Sequence, residues 1–190
     1  LVSGGRSPVA LFERLACEPL PWKQVLVSLV DERWVAPSHP DSNEALVRRH
    51  LLQGPAAEAC FVSLYQPAAS HSQAADLAEA RLAGLPPADV LLLGMGDDGH
   101  SASLFPGSPN LAEALREDCP QRLLPMRAPS APVERLSLTL PPLRAARLAL
   151  LAIQGQPKLA TLARALQPGP AEALPIRALL RPPLQIHWCP

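Results

Sequence analysis

Val90–Pro109 reads VLLLGMGDDGHSASLFPGSP. Four consecutive apolar residues break off at a glycine, the pattern of a strand buried on both faces as it leaves a sheet. Glycines at 94, 96 and 99 then mark backbone that packs closely or takes positive φ. Inside that loop stand Asp97, Asp98 and His100. In open parallel sheets the ligand lies beyond the carboxyl ends of the strands, so this loop is where chemistry is expected.

Similar apolar runs recur on both sides. Gln24–Val30 (QVLVSLV), Leu136–Leu140 (LSLTL), Leu148–Ile153 (LALLAI) and Leu184–Trp188 (LQIHW) read as strands. Ser42–Leu52, His71–Leu82 and Lys158–Leu166 carry helical spacing of leucine and alanine between them. Alternating strands and helices predict βαβ units: an α/β fold with a doubly wound, mostly parallel sheet and helices on both faces. The length of 190 residues fits one domain spanning 1–190. No internal repeat is visible.

Composition narrows the classes. The chain is 48% hydrophobic and 18% charged, neither disordered nor coiled-coil in character. Its 24 prolines are scattered among periodic segments rather than clustered. Seventeen basic residues balance seventeen acidic ones, which leaves no surplus for a diffuse nucleic-acid surface. No apolar run approaches a membrane span and no signal pattern opens the chain, so a cytoplasmic protein with no membrane partner is expected. Cys17, Cys60, Cys119 and Cys189 lie far apart without a C-x-x-C pair, the pattern of free thiols in a reducing compartment rather than of a metal site.

Each strand exit carries a candidate group with an ordinary alternative beside it. Ser3–Pro8 (SGGRSP) lets backbone amides approach an anion at a helix start, with Arg6 adding charge; a plain βα turn has the same look. It matches neither the P-loop nor G-x-G-x-x-G. Asp31-Glu32-Arg33 ends an apolar run, where three charges also suit a solvated loop; Asp31 is placed to face a pocket and Arg33 to meet a carbonyl or phosphate oxygen. His100 is of the residue type that takes a proton from water near neutrality, with Asp98 as its orienting carboxylate; a structural histidine in a glycine turn is the alternative. His39, His50, His71 and His187 lack such company and read as surface or packing residues. Arg135 opens a strand, and Lys158, one of only two lysines, follows Gly155.

Taken in order, these motifs resemble the 6-phosphogluconolactonase family. SGGRSP resembles its SGGSTP loop, DERWV its DER motif, and Asp41–Asn43 (DSN) its serine–asparagine pair. GMGDDGHSASLFPGSP is similar to its G-x-G-x-DGH-x-ASLFPG signature, RLSLTLPPL to its R-[IL]-[ST]-L-T segment, and Gly155–Lys158 to its G-x-x-K. Arg6 and Ser7 depart from the family's serine and threonine. The chain also starts two residues before the SGG loop, where the family has a first strand and a preceding helix, so such a segment is expected ahead of Leu1.

The resemblance implies a Rossmann-like fold shared with glucosamine-6-phosphate deaminases. It also implies cofactor-free hydrolysis of 6-phospho-D-glucono-1,5-lactone to 6-phosphogluconate in the pentose phosphate pathway. His100, Asp98, Asp31 and Arg33 would then be catalytic. Ser3, Gly4, Gly5, Arg6, Ser7, Asn43, Arg135 and Lys158 would hold the sugar phosphate, with no metal. A small-molecule substrate and a monomer or weak homo-oligomer are expected. One alternative is the deaminase–isomerase, which has tyrosine where Arg33 stands and a charged, asparagine-containing sequence in place of Ser103-Leu104-Phe105. The other is a non-catalytic sugar-phosphate-sensing domain, for which no helix-turn-helix segment is evident.

Overall fold

The computed structural model describes residues 1–190. In chain order its first half runs α1 (Val9–Ala16), β1 (Leu26–Ser28), β2 (Asp31–Arg33), α2 (Asn43–His50), β3 (Cys60–Val62) and α3 (His71–Leu82). Then follow β4 (Val90–Leu93), α4 (Leu111–Ala114), β5 (Leu123–Arg127), β6 (Glu134–Leu138) and α5 (Leu140–Arg144). The last elements are β7 (Leu148–Gln154), α6 (Gln156–Ala165) and β8 (Leu184–Cys189).

Parallel pairing dominates. β1 pairs with β3, while β4, β7 and β8 lie side by side. Val2 bridges Leu29 on one side and Leu92 on the other, both in parallel, and so joins the two groups. The expected α/β architecture with a mostly parallel sheet flanked by helices is what forms. His71–Leu82 and Val90–Leu93 fall where the periodicity predicts them.

Three readings need correction. Asp31–Arg33 is not a turn after a strand but a strand of its own, because Asp31, Glu32 and Arg33 pair antiparallel with Ser137, Leu136 and Arg135. The run Gln24–Val30 is correspondingly shorter: Trp22–Gln24 forms a 3-10 turn and only Leu26–Ser28 pairs with β3. Finally, β6 belongs to a separate antiparallel sheet, β2–β6–β5. β5 reaches β6 through residues 128–133 alone, too short for the crossover that parallel strands require. β6 stops at Leu138 because Pro141 and Pro142 follow, and these suit the first turn of α5. β5 was missed altogether: LLPMR contains Pro125, tolerated because β5 is an edge strand.

One cluster of 35 buried apolar residues spans both sheets, taking in Val27, Leu91 and Leu151 from the parallel strands and Leu123, Leu136 and Leu138 from the antiparallel ones. That shared core fixes the antiparallel sheet against the exits of the parallel one. No helix is long and apolar enough to cross a membrane.

Candidate active site

A cavity of about 610 Å³ opens where Val2, β4 and the β2–β6 pair end. Every residue singled out from the sequence lines it: Ser3 to Ser7, Asp31, Arg33, Asn43, Asp98, His100, Arg135 and Lys158.

The glycine loop after β4 builds its geometry locally. Gly99, at φ 78°, turns the chain, and Gly96 and His100 exchange backbone contact through the Gly96 amide and the His100 carbonyl at 2.9 Å. Asp98 then reaches His100 twice: its Oδ1 accepts from the His100 amide at 3.1 Å and lies 2.5 Å from the ring Nδ1. Gly96 cannot carry a side chain here, because a Cβ would stand 2.2 Å from the imidazole and 2.6 Å from Asp98 Oδ1. Burial pulls the Asp98 carboxyl upward, but the hydrogen bonds and charge of His100 outweigh it and hold Asp98 below its usual range. An ionised carboxylate only accepts, so Nδ1 carries the proton, and in the neutral ring Nε2 keeps its lone pair. The ring packs on Phe105 with centroids 4.2 Å apart. Ala102, at φ 51°, is the one non-glycine residue with positive φ and sits between two buried serines of this loop.

Across the cavity, β2 sorts its three charges by strand alternation. Asp31 and Arg33 line the cavity, whereas Glu32 points away and is fully buried. Arg33 Nη1 donates to Asn43 Oδ1 at 2.8 Å and to the Asp41 carbonyl at 2.7 Å. The Asn43 amide nitrogen donates to the Asp31 carbonyl at 2.9 Å. Ser103 donates to Asp31 Oδ2 at 2.6 Å, and the Ser103 amide donates to Ser137 Oγ at 3.2 Å, so the glycine loop and the antiparallel sheet are stitched together. Asn43 is 2% exposed with both ends of its amide occupied by Arg33 and Asp31. It acts as a strut between them more than as an open contact. His71 keeps the packing role read for it: it stacks on Trp34 at 5.6 Å and its Nε2 contacts the Arg135 carbonyl at 2.8 Å.

The SGG loop forms the floor. Ser3 Oγ accepts from the Gly94 amide at 3.3 Å, and a Cβ on Gly4 would lie 1.9 Å from Asn43 Oδ1. Gly5 takes φ 86°, and the exposed Arg6 and Ser7 lead into Pro8, the N-cap of α1. Gly155, at φ 87°, caps α6 and brings Lys158 to the rim.

The electrostatics of the cavity are lopsided. Arg6, Arg33, Arg135 and Lys158 all line it, and none forms an ion pair with a carboxylate. Arg33 and Arg135 are directly opposite in the β2–β6 register, an unfavourable pairing of like charges. Burial, together with the Arg33 charge, lowers the Arg135 pKa. Such a cluster is built for an anion. No group of three or more His, Cys, Asp or Glu side chains is arranged to hold a metal ion.

The profile of the glucosamine-6-phosphate isomerase/6-phosphogluconolactonase family matches residues 1–188. The chain belongs to that family. It is 60% identical to a 6-phosphogluconolactonase of Pseudomonas aeruginosa over 191 aligned residues, covering 100% of this chain and 80% of the relative. It is 46% identical to the 6-phosphogluconolactonase of Rhizobium meliloti, covering 100% of this chain and 83% of that one. The crystal structure of a 6-phosphogluconolactonase from Shewanella baltica superposes with a TM-score of 0.94 at 38% identity, covering 98% of this chain and 81% of that one.

Behind the residues that line the cavity, the sequence does not announce Ser103, Ser137 and Glu32. Ser103 and Asp31 are 72 residues apart, with nothing local to announce their contact. Glu32 had a signal. Read as a strand, DER must turn its middle residue away from the flanking two.

Proposed function

We propose that the chain hydrolyses 6-phospho-D-glucono-1,5-lactone to 6-phospho-D-gluconate, the lactone step of the pentose phosphate pathway, with His100 as general base. The activity is the one its family relatives are named for. The observation that carries the residue assignment is that an Asp98–His100 pair and four cations without ion pairs share one cavity.

Asp98 holds the imidazole by Nδ1–H, and Nε2 takes a proton from water as the water oxygen bonds the lactone carbonyl carbon. Arg33 faces the carbonyl oxygen, where negative charge develops. As the bond from that carbon to the ring oxygen breaks, the proton returns from Nε2 to the departing oxygen, and His100 is restored. Asp31, fixed by Ser103, orients a sugar hydroxyl or the water. Arg135, Lys158 and Arg6, with the amides around Gly4, Gly5 and Ser7, hold the phosphate, and Ser3 keeps the loop floor in register with β4. Phosphate binding remote from the reacting carbon supplies energy that positions the lactone.

Progress curves with freshly made 6-phosphogluconolactone, corrected for spontaneous hydrolysis, test this directly. Turnover by the chain that is abolished in H100A supports the reading. A chain that binds 6-phosphogluconate without accelerating hydrolysis would instead be a sensing domain.

A further inference from the structure

Glu32 is the middle residue of the β2 triplet, on the face turned away from the cavity and 0% exposed. No cation forms an ion pair with it. Its charge is met only by donors. Oε1 accepts from the amides of Arg33 and Asn43, both at 2.7 Å, and Oε2 accepts from the Glu44 amide at 2.8 Å and the Ser42 hydroxyl at 3.0 Å.

Helix capping explains only part of this arrangement: Ser42 accepts from the Ala45 amide at 3.1 Å and Glu32 from the two amides before it, Asn43 and Glu44, but the bond from the Arg33 amide lies outside α2. A buried acid held by hydrogen bonds alone is costly, and an apolar residue would ordinarily be the better occupant. What the carboxylate adds is a link between two residues. One oxygen clamps the backbones of Arg33 and Asn43, and on the other face of the strand the side chains of those two residues bond each other at 2.8 Å. The result is a closed ring of contacts through β2, with its cavity side running on from Asn43 to Asp31 and pressed against Gly4.

We propose that Glu32 is a positioning residue for the reaction, holding Asn43 against β2 so that Arg33 and Asp31 present fixed polar atoms to the substrate. The inference rests on the reading of the cavity above, in which Arg33 and Asp31 face the lactone. It makes the acid in the middle of DER part of the machinery without any contact to substrate.

The test is a double-variant cycle with two readouts. In E32Q the side chain keeps its size, but its NH2 group meets the Glu44 amide donor against donor, so the carboxamide has to leave the position in which it accepts from the Arg33 and Asn43 amides. The expected result is a fall in kcat/KM of about 10–100-fold, the usual scale for a misplaced catalytic group, expressed mainly in kcat, with a cooperative melt retained. The loss should vanish in the background of N43A: the double variant should be no slower than N43A alone. Independently of turnover, the Arg33 Nε–H resonance, assigned by its disappearance in R33K, should move in E32Q toward its position in N43A. If E32Q is too unstable to purify, E32D, which keeps the charge and shortens the reach, is carried through the same cycle. Additive losses, or an Arg33 resonance unmoved by the change at Glu32, overturn the inference while the lactonase reading stands. A parent chain that does not turn over the phospholactone overturns both.

Discussion

The two walls of the cavity are made in opposite ways. The glycine loop sets its reactive pair within a few residues: Asp98 and His100 are two apart, and the turn that joins them is closed between Gly96 and His100. The β2–α2 corner is assembled from a distance. Arg33 reaches Asn43 ten residues on, β2 pairs with β6 about a hundred residues later, and Asp31 is pinned by Ser103. A locally built site can lose its chemistry while the fold stands, whereas a site built across the core is coupled to stability.

The largest effect is expected in the loop. H100A should lower kcat by about 10²–10⁴-fold, the usual contribution of a general base, with 6-phosphogluconate affinity and melting temperature nearly unchanged. D98N, which cannot hold Nδ1–H in the same way, should follow it in direction. Stopped-flow rates corrected for the uncatalysed reaction check this; a variant that keeps most of its turnover removes His100 from the mechanism.

G96A sharpens the same wall. Its methyl group would sit 2.2 Å from the imidazole, so the ring has to leave its place beside Asp98. A loss of about 100-fold in kcat is expected, as for other displacements near 1 Å. By contrast G4A strikes Asn43 from the floor and should lower both kcat and melting temperature, because the corner it disturbs is tied into the core. If G96A lowers the melting temperature as much as G4A does, the distinction between the walls fails.

Next come the cations. A charged hydrogen bond is worth roughly 1.5–3 kcal/mol, so R135A or K158A should weaken capture of the phospholactone by about 10–150-fold in kcat/KM. The same variants assayed with the unphosphorylated lactone should lose little. Equal losses on both substrates would mean that these side chains support the fold rather than the phosphate.

The contrast also explains what the sequence made legible. Strand and helix positions such as Val90–Leu93 and His71–Leu82 follow from local periodicity, and Asp98–His100 from two residues in a glycine turn. The cavity residues at other strand exits stand out as polar groups just after apolar runs, and Asn43 only through the family resemblance. What escaped depends on partners far along the chain. DER looks like a loop until β6 arrives to pair with it, and LLPMR looks like no strand until β6 gives it one. Ser103 and Ser137 are ordinary serines until the two sheets meet. Glu32 was hidden by the same error, since a loop has no inside and outside for its charges to be sorted between.

The smallest expected effect concerns that residue and the stability of the corner. Burial raises the Glu32 carboxyl from 4.5 to about 7, with the amides of Asn43, Glu44 and Arg33 and the Ser42 hydroxyl opposing it. The folded state therefore holds a proton that the unfolded chain has released between those values. The proton is accommodated at Oε2, where Ser42 can turn its hydroxyl to accept, so Oε1 keeps both backbone contacts. A raised folded pKa means that its contribution is full below about 4.5 and is lost as pH rises through about 7. Each pKa unit is worth about 1.4 kcal/mol, and the positive end of α2 offsets part of the shift, so about 1–3 kcal/mol is at stake. For a chain of this length that is several degrees in melting temperature. E32Q has no proton to lose at this position. Raising the pH from 5 to 8 should therefore lower the melting temperature of the parent relative to that of E32Q, by scanning calorimetry in buffers of matched ionic strength. Curves that stay parallel across that range would mean that the donors around Glu32 keep it ionised throughout, and that the corner is insensitive to pH.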